Sequence, residues 1–277
     1  MTSSDWDDWL PRAVEAADPD SVAMWYLGCN GFILKGADGT TLYIDPYLGT
    51  GDPPRTIRMI PVPFNPTDIR EADAILATHE HTDHVHGPSQ GPILAETGAM
   101  FYGANASMEK VAEEDWREQW TLSDAQFEEI QPGDRLDIGG FTIHVEPAND
   151  PDAIDPVSFV ITYDDVTIFH GGDTKPTDAF REVGEEYDID LAIVAFGAIG
   201  NIYDRDHTRR KRTHWYGDEN DVVEIVNALQ ADRLLPSHWD MWKGMTADPK
   251  VLHHHTRSWP YPTHLDIVEI GDRVNVF

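Results

Sequence analysis

A dense cluster of side chains that can bind metal constrains this chain more than any other feature. Three histidines and one aspartate occur within six residues, as His79, His81, Asp83 and His84. The apolar run 74–77 leads directly into them, which predicts a strand that delivers a ligand-rich loop to a sheet edge. Imidazole together with carboxylate suits Zn²⁺, Mn²⁺ or Fe. We therefore predict a metal site here, with a solvated polar loop as the alternative.

Three further segments have the same form, in which a short apolar run ends at a residue that can bind metal. They are Ile44-Asp45, the segment Phe169-His170-Gly171-Gly172-Asp173, and Leu235-Pro236-Ser237-His238. A single Asp or His at the end of a strand is usually structural. Four such segments in one chain favour a shared site at one edge of a sheet.

The charge of the chain is extreme and is spread along its length. It has 20 Lys and Arg against 50 Asp and Glu, a net charge of −30, yet 40% of its residues are hydrophobic. Acid dispersed over a globular core repels itself unless salt screens it, so we expect adaptation to a high-salt cytoplasm. An acidic surface for a cationic partner is the alternative. Binding to nucleic acid is disfavoured, because a phosphate backbone requires a basic surface.

Cys29 is the only cysteine, so no disulfide forms within the chain. Its apolar neighbours predict a small buried residue, and a catalytic thiol is the alternative. The first residues do not have the pattern of a signal peptide, and no apolar run approaches the roughly 20 residues that a membrane span needs. We expect a soluble cytoplasmic protein with no membrane partner.

The pattern of apolar residues predicts one domain, 1–277, whose residues 1–20 form an amino-terminal helical extension. Further helices are predicted at 106–118 with Asn105 as the cap, from about 178 to 186, and from about 219 to 229. Strands are predicted at 22–27, 32–35, 41–44, 74–78, within 127–163, and at 166–169, 191–196 and 233–235, with a long loop at 50–67 and a hairpin at 267–277. Strands in two batches, each followed by helices, predict two sheets with helices outside, an α/β fold.

The order of these motifs resembles the metallo-β-lactamase superfamily, and more narrowly the L-ascorbate-6-phosphate lactonase family. Besides the histidine motif, the narrower resemblance rests on Ala23-Met24-Trp25-Tyr26-Leu27-Gly28-Cys29-Asn30-Gly31, Asp73-Ala74-Ile75-Leu76-Ala77-Thr78-His79, Pro236-x-His238-x-Asp240-x-Trp242 and Ala247-Asp248-Pro249. It extends from about Trp6 to about Pro249. The resemblance implies a four-layer αββα sandwich with metal at one edge.

The same resemblance implies seven metal ligands: His79, His81, Asp83, His84, Asp150, Asp173 and His238. His79 and His81 would hold one ion. Asp83, His84 and His238 would hold a second position, and Asp173 would bridge the two. Asp150 stands where the family usually has histidine, so one tightly held ion is an alternative to two. An additional oxygen ligand also favours Mn²⁺ over Zn²⁺.

Two other carboxylates are expected to support these ligands without binding metal. Asp45 would brace the histidine loop by hydrogen bonding, and Asp240 would hold His238 in place. Asp83 is the predicted catalytic residue, because a carboxylate beside a metal-activated water can orient the water and move a proton.

The implied reaction is the opening of a lactone of a sugar acid or a sugar-acid phosphate. Such an anion needs cations, and one basic segment stands out: Arg205, His207, Arg209, Arg210, Lys211 and Arg212. Arg209, Arg210 and Arg212 are the predicted substrate-binding residues. A solvated loop or a contact in a homo-oligomer is the alternative. The alternative functions are a metal-dependent phosphodiesterase acting on a small substrate, and a non-catalytic metal- or metabolite-binding protein.

Overall fold

Two large sheets lie face to face, and helices cover their outer surfaces. A computed structural model describes residues 4–276 of the chain. The part of the predicted 1–20 extension that falls on residues 1–3, and the last residue of the predicted 267–277 hairpin, lie outside the described residues. The predicted four-layer α/β sandwich is confirmed.

The elements of the described chain are as follows. The α-helices are α1 Trp9–Glu15, α2 Gly87–Thr97, α3 Asn105–Glu113, α4 Trp116–Gln119, α5 Ala179–Glu186, α6 Glu219–Ala228 and α7 Leu252–Thr256. The strands are β1 Val22–Gly28, β2 Gly31–Gly36, β3 Thr41–Ile44, β4 Ala74–Leu76, β5 Met100–Gly103, β6 Phe127–Glu129, β7 Arg135–Ile138, β8 Phe141–Pro147, β9 Val157–Tyr163, β10 Val166–His170, β11 Leu191–Ala195, β12 Gly200–Tyr203, β13 Arg210–Thr213, β14 Arg233–Ser237, β15 His264–Leu265 and β16 Arg273–Asn275. Short 3₁₀ helices lie at Pro66–Asp68, Asp124–Gln126 and Pro249–Val251.

Each large sheet has seven strands. The first has the order β16-β1-β2-β3-β4-β5-β6, and the second has the order β15-β14-β11-β10-β9-β8-β7. Strands β3 to β6 are parallel to one another, as are β10, β11 and β14. Strands β12 and β13 form a separate antiparallel hairpin between β11 and α6.

The apolar core has three layers because side chains alternate between the two faces of a strand. On β1, Met24 and Tyr26 face the layer between the sheets, whereas Ala23 and Trp25 face the layer under helices α1 to α4. Helices α5 to α7 cover the outer face of the second sheet. Since both faces of the central strands are covered, every residue of β1 is buried, which accounts for its unbroken apolar sequence.

Two of the predicted helices are confirmed to within about a residue, as α5 and α6. The prediction for 106–118 is wrong in detail, because the chain breaks between α3 and α4 at Asp115, which has a φ of 51°. Asn105 is the first helical residue and does not cap the helix; the Asp155 carboxylate instead accepts a hydrogen bond from the Ala106 amide in the first turn.

The sequence does not predict helix α2, because this segment contains two glycines and two prolines, which usually interrupt helices. Pro88 lies in the first turn, where no helical hydrogen bond is lost. Gly91 allows the ring of Trp120 to approach, since a Cβ there would lie 2.2 Å from a ring atom.

The predicted carboxyl-terminal hairpin is wrong. The strand β16 pairs with β1 instead, which ties the end of the chain to the first sheet. Among residues 4–276, no helix is both long enough and apolar enough to cross a membrane.

Candidate metal centre

The predicted ligands follow strands that end at one edge of the sandwich. Asp45 follows β3 and the segment 78–84 follows β4, while Asp150, Asp173 and His238 follow β8, β10 and β14 of the second sheet. The carboxyl ends of strands in such sheets are the usual place for a ligand site. The fold therefore brings residues from both halves of the chain to one place.

A first cluster consists of His79, His81, Asp150 and Asp173, whose donor atoms lie within 4.8 Å of one another. His79 Nε2 is 2.9 Å from His81 Nδ1. An oxygen of Asp150 lies 3.5 Å from the first of these atoms and 3.6 Å from the second. Asp150 is thus in position to act as a ligand.

A second cluster lies beside the first and contains Asp83, His84 and His238. Asp83 approaches His238 Nε2 at 3.4 Å and His84 Nε2 at 3.9 Å. Asp173 also faces this cluster, because its oxygens lie 3.4 Å from His84 Nε2 and 3.5 Å from His238 Nε2. The carboxylate of Asp173 therefore faces both clusters.

Cys29 is a member of this second cluster that sequence reasoning missed. It is buried, as predicted, but its Sγ lies 3.1 Å from His238 Nε2 and 3.5 Å from Asp83 Oδ2. The apolar run around it gave no sign of this position. The tight turn between β1 and β2, at Gly28 to Asn30, was the available signal.

Asp45 lies behind the histidine loop and is joined to it by hydrogen bonds. Its carboxylate accepts hydrogen bonds from the Thr78 amide at 2.9 Å and the Thr78 hydroxyl at 2.6 Å. It also lies 2.7 Å from His84 Nδ1. This contact turns the other nitrogen of His84, Nε2, towards the cluster.

Asn30 supports Asp173 and was also missed. Its Nδ2 donates to Asp173 Oδ1 at 2.6 Å, and its Oδ1 accepts a hydrogen bond from the Ser237 hydroxyl. The residue thus links the turn after β1 to the ends of β10 and β14. Only the packing of the two sheets brings these segments together.

The expectation for Asp240 is not met, because its carboxylate accepts a hydrogen bond from the Tyr26 hydroxyl at 3.0 Å. In the described residues, no hydrogen bond joins it to His238. The imidazole of His238 instead stacks on Tyr216, with ring centroids 4.0 Å apart. A stacked ring and the Cys29 sulfur therefore fix its orientation.

The electrostatics of the second cluster favour a cation. Burial alone would lower the pKa of His84, but the carboxylates of Asp173, Asp45 and Asp83 raise it well above its usual value. Burial would likewise raise the pKa of Asp83, but the imidazoles of His84 and His238 hold it well below its usual range. Asp83 is therefore ionised at neutral pH inside a buried site, and the negative charge there favours a positive partner at His84, either a proton or a metal ion.

The first cluster differs in its proton affinity. Burial lowers the pKa of His79 well below its usual value, so its imidazole is neutral and able to bind metal. Burial and the charge of Asp173 raise the pKa of Asp150 to about 6. In the second cluster, burial and the charges of Asp83 and Asp173 raise the pKa of the Cys29 thiol.

One independent observation indicates that these residues are suited to bind a divalent metal. His84 Nε2 is buried and has no hydrogen bond to the described residues, although an oxygen of Asp173 lies 3.4 Å away. Buried polar atoms without partners are rare in folded proteins. A cation between the two clusters would satisfy this nitrogen.

The predicted substrate-binding arginines lie on the hairpin of β12 and β13, and all three are exposed. The guanidinium of Arg210 lies over the Tyr203 ring, 4.8 Å from its centroid. His207, at the tip of the hairpin, contacts Asp52 in the 50–67 loop at 3.1 Å. None of the hydrogen bonds or ion pairs of the described residues joins these arginines to a residue of either metal cluster.

A different cation, which was not predicted, touches the histidine loop. Lys110 Nζ donates to the Glu80 carbonyl at 2.8 Å and to the Thr82 hydroxyl at 3.1 Å. The helix α3 thereby anchors the loop that carries His79 to His84. The three consecutive histidines 253–255 lie on α7, and within the described residues none of them belongs to a cluster of possible metal ligands.

Comparison with known proteins gives a family match over most of the chain. A family model described as "Beta-lactamase superfamily domain" matches residues 40–239. "Probable L-ascorbate-6-phosphate lactonase UlaG" of Escherichia coli (strain SMS-3-5) is 25% identical, over 91% of this chain and 79% of its own length.

Solved structures with the same fold include the metallo hydrolase Igni18 of Ignicoccus hospitalis. It is 19% identical, with a TM-score of 0.66 over 91% of this chain and 97% of its own. An isothiocyanate hydrolase from Delia radicum gut bacteria is 15% identical, with a TM-score of 0.68 over 91% of this chain and 98% of its own. At these identities the likeness shows the fold.

Proposed function

This chain belongs to the beta-lactamase superfamily, as a metal-dependent hydrolase of that fold, and on this premise we propose that it opens the lactone ring of a sugar acid or a sugar-acid phosphate. The observation that carries the proposal is the pair of donor clusters on either side of Asp173. The similarity to a lactonase over 91% of the chain supports the choice of substrate class.

The two clusters would hold one or two divalent ions, Mn²⁺ or Zn²⁺. His79, His81 and Asp150 would hold the first position, and Asp173 would face both positions. When bound, such an ion lowers the pKa of a water from about 15.7 to about 7 and polarises a carbonyl oxygen. The remaining chemistry falls to the side chains around it.

Asp83 is suited to orient the attacking water and to accept its proton. Trp242 Nε1 donates to Asp83 Oδ2 at 3.2 Å, which fixes the direction of the carboxylate. Its neighbouring imidazoles keep the pKa of Asp83 low, so the carboxylate is ionised and can accept a hydrogen bond from the attacking water. Asp83 can then return that proton to the alcohol that leaves when the ring opens.

Aromatic side chains wall this region. The Tyr47 and Trp242 rings lie 5.7 Å apart, and Tyr216 stacks on His238. The 50–67 loop contacts the same wall, because the backbones of Arg58 and Trp242 form an isolated antiparallel β-bridge. Such a wall excludes bulk water from one side of the site and suits a compact ring as substrate.

The test combines metal content with turnover. The protein would be purified in about molar KCl without a metal-affinity column, analysed for bound elements, and assayed with Mn²⁺ or Zn²⁺. The substrates would be sugar-acid lactones, their phosphates, and small phosphodiesters. We expect metal-dependent opening of a lactone.

The matched variants are His81→Ala and His253→Ala. His81 lies in the first cluster, whereas His253 is exposed on α7. The first variant should lose more activity than the roughly 10–100-fold that is typical of a residue behind the ligands, and the second should be unchanged. Full turnover in His81→Ala would disprove the assignment of the active site. If the wild type binds metal but hydrolyses only phosphodiesters, a phosphodiester would replace the lactone as the proposed substrate.

A further inference from the structure

Cys29 is held in an unusual backbone conformation beside the second cluster. Its φ is +59°, and that of His238 is +64°, in the left-handed region that residues other than glycine rarely adopt. The amide of His238 donates to the carbonyl of Cys29 at 2.9 Å, so the two turns lock each other. Strain of this kind persists only where the surrounding structure enforces it.

The sulfur of Cys29 faces metal-competent atoms only a few ångströms away. Its Sγ, a carboxylate oxygen of Asp83 and ring nitrogens of His84 and His238 all lie within 4.8 Å of one another. Cys29 and His84 are fully buried, and His238 is 1% exposed. Four donors of three chemical kinds therefore surround one small volume.

The unpartnered nitrogen of His84 is an independent sign that this volume holds a ligand. His84 Nε2 has no hydrogen bond to the described residues, although Nδ1 of the same ring is bonded to Asp45. A thiol that merely filled space would leave this nitrogen unsatisfied. A cation between the four donors would satisfy it and the sulfur together.

We infer that Cys29 is a thiolate ligand of the second metal position, together with Asp83, His84 and His238. The inference rests on the proposed metal centre but not on the lactone substrate. On binding, the sulfur gives its proton to solvent and donates an electron pair to the ion. Thiolate, imidazole and carboxylate, with Asp173 facing the same position, are ligand types that Zn²⁺ binds in proteins.

A thiolate at only one position makes the two positions chemically different. The first cluster offers only imidazole and carboxylate, which Mn²⁺ accepts, whereas a thiolate selects softer ions such as Zn²⁺ and Co²⁺. We therefore expect the second position to retain Zn²⁺ in competition with Mn²⁺. The first position should exchange more readily.

Cobalt spectroscopy tests this directly, because Cys29 is the only cysteine in the chain. The metal-free protein would be titrated with Co²⁺, and a thiolate-to-cobalt charge-transfer band would be followed in the near ultraviolet. We expect the band to grow with the filling of one position and to be absent in Cys29→Ser. That variant keeps the size and hydrogen-bonding capacity of the side chain, so its visible cobalt bands should remain.

A chelator competition adds a second readout that does not depend on turnover. Cys29→Ser should release Zn²⁺ from one position at least about tenfold more easily than the wild type, with the other position unchanged. If Cys29→Ser does not fold, the wild-type band alone decides, since only one thiolate can produce it.

The failures of this inference and of the proposed function can be told apart. Cobalt bound without a charge-transfer band would show that Cys29 is not a ligand, and the metal centre would stand. No binding of cobalt or zinc by the wild type would overturn both the metal centre and the inference. A charge-transfer band without lactone turnover would leave the inference about Cys29 intact and would rule out the lactone as the substrate.

Discussion

At the scale of single residues, the site depends on side chains that act through others. Asp45 does not face either metal position; its contacts are the amide and hydroxyl of Thr78 and the Nδ1 atom of His84. These contacts fix both the path of the histidine loop and the orientation of one imidazole. Residues of this kind orient ligands, and their loss typically weakens metal binding by about 10–100-fold.

We therefore expect Asp45→Asn to lower metal affinity by roughly 10–100-fold while the protein remains folded. Asparagine keeps the shape but loses the charge that holds His84 Nδ1. Chelator competition measures the affinity. Asp73→Asn is the matched control, because Asp73 also accepts a strand amide, that of Thr41, at the opposite end of β3. Equal affinity in both variants would contradict the bracing role.

Asp150 gives the centre a dependence on pH. Its pKa is raised to about 6 by burial and by Asp173, whereas in an unfolded chain the carboxyl titrates near 3.8. A ligand must lose its proton before it binds metal, so below pH 6 the proton competes with the ion.

The metal affinity of the first position should therefore fall as the pH decreases through about 6. Isothermal titration of metal-free protein at a series of pH values would measure this. A constant affinity across that range would show that Asp150 does not bind the metal.

At the scale of elements, the hairpin of β12 and β13 presents two different faces. Lys211 pairs with Ile202, which is buried against the aromatic wall that contains Tyr216 and Trp242. Arg212 pairs with the exposed Asn201. Because side chains alternate along a strand, Arg210 lies on the same face as Arg212, and Lys211 lies on the other.

If the arginines capture an anionic substrate, then Arg210→Gln with Arg212→Gln should raise KM for a phosphorylated lactone by roughly tenfold or more, since a hydrogen bond to a charged group contributes about 1.5–3 kcal/mol. KM for the unphosphorylated lactone should stay the same. Arg257→Gln is the control, because it removes an exposed cation outside the hairpin, at the end of α7, and it should leave both values unchanged. Unchanged KM in the arginine variant would favour a solvated loop.

At the scale of the whole molecule, the acidic charge cannot be paired internally. With 50 acidic and 20 basic side chains, one-to-one pairing would leave 30 carboxylates without a partner. Many of the ion pairs that form are exposed, such as Arg135 with Asp137 and Arg12 with Asp8. Exposed pairs contribute little to stability, so repulsion among the remaining carboxylates opposes the compact state.

We expect the melting temperature to rise with KCl, most steeply between about 0.1 M and 1 M, where the screening length falls from about 10 Å to about 3 Å. Thermal unfolding followed by circular dichroism measures this. A neutral solute at equal osmolality is the control, because it does not screen charge. A melting temperature that stays level or falls with KCl would contradict a high-salt adaptation.

The sequence by itself determined the chemistry and the layers of this protein. The donors His79 to His84 are adjacent in the chain, and short apolar strands ending at Asp45, Asp173 and His238 are local patterns. Local patterns survive in the sequence because they depend on neighbouring residues. Two sheets with helices outside followed from the same strands and helices, and the four-layer sandwich was implied by the family resemblance.

Only the tertiary structure decided which distant residues complete the site. Cys29 and His238 are 209 positions apart, and Asn30 and Asp173 are 143 apart, yet each pair is in contact. These contacts depend on how two sheets pack and on left-handed turns that bring the sulfur inward. The turn at Gly28 to Asn30 indicates only that Cys29 lies at a strand end. Whether its thiol packs in the core or faces metal ligands is decided by the segments that follow β4 and β14, which are distant in the chain.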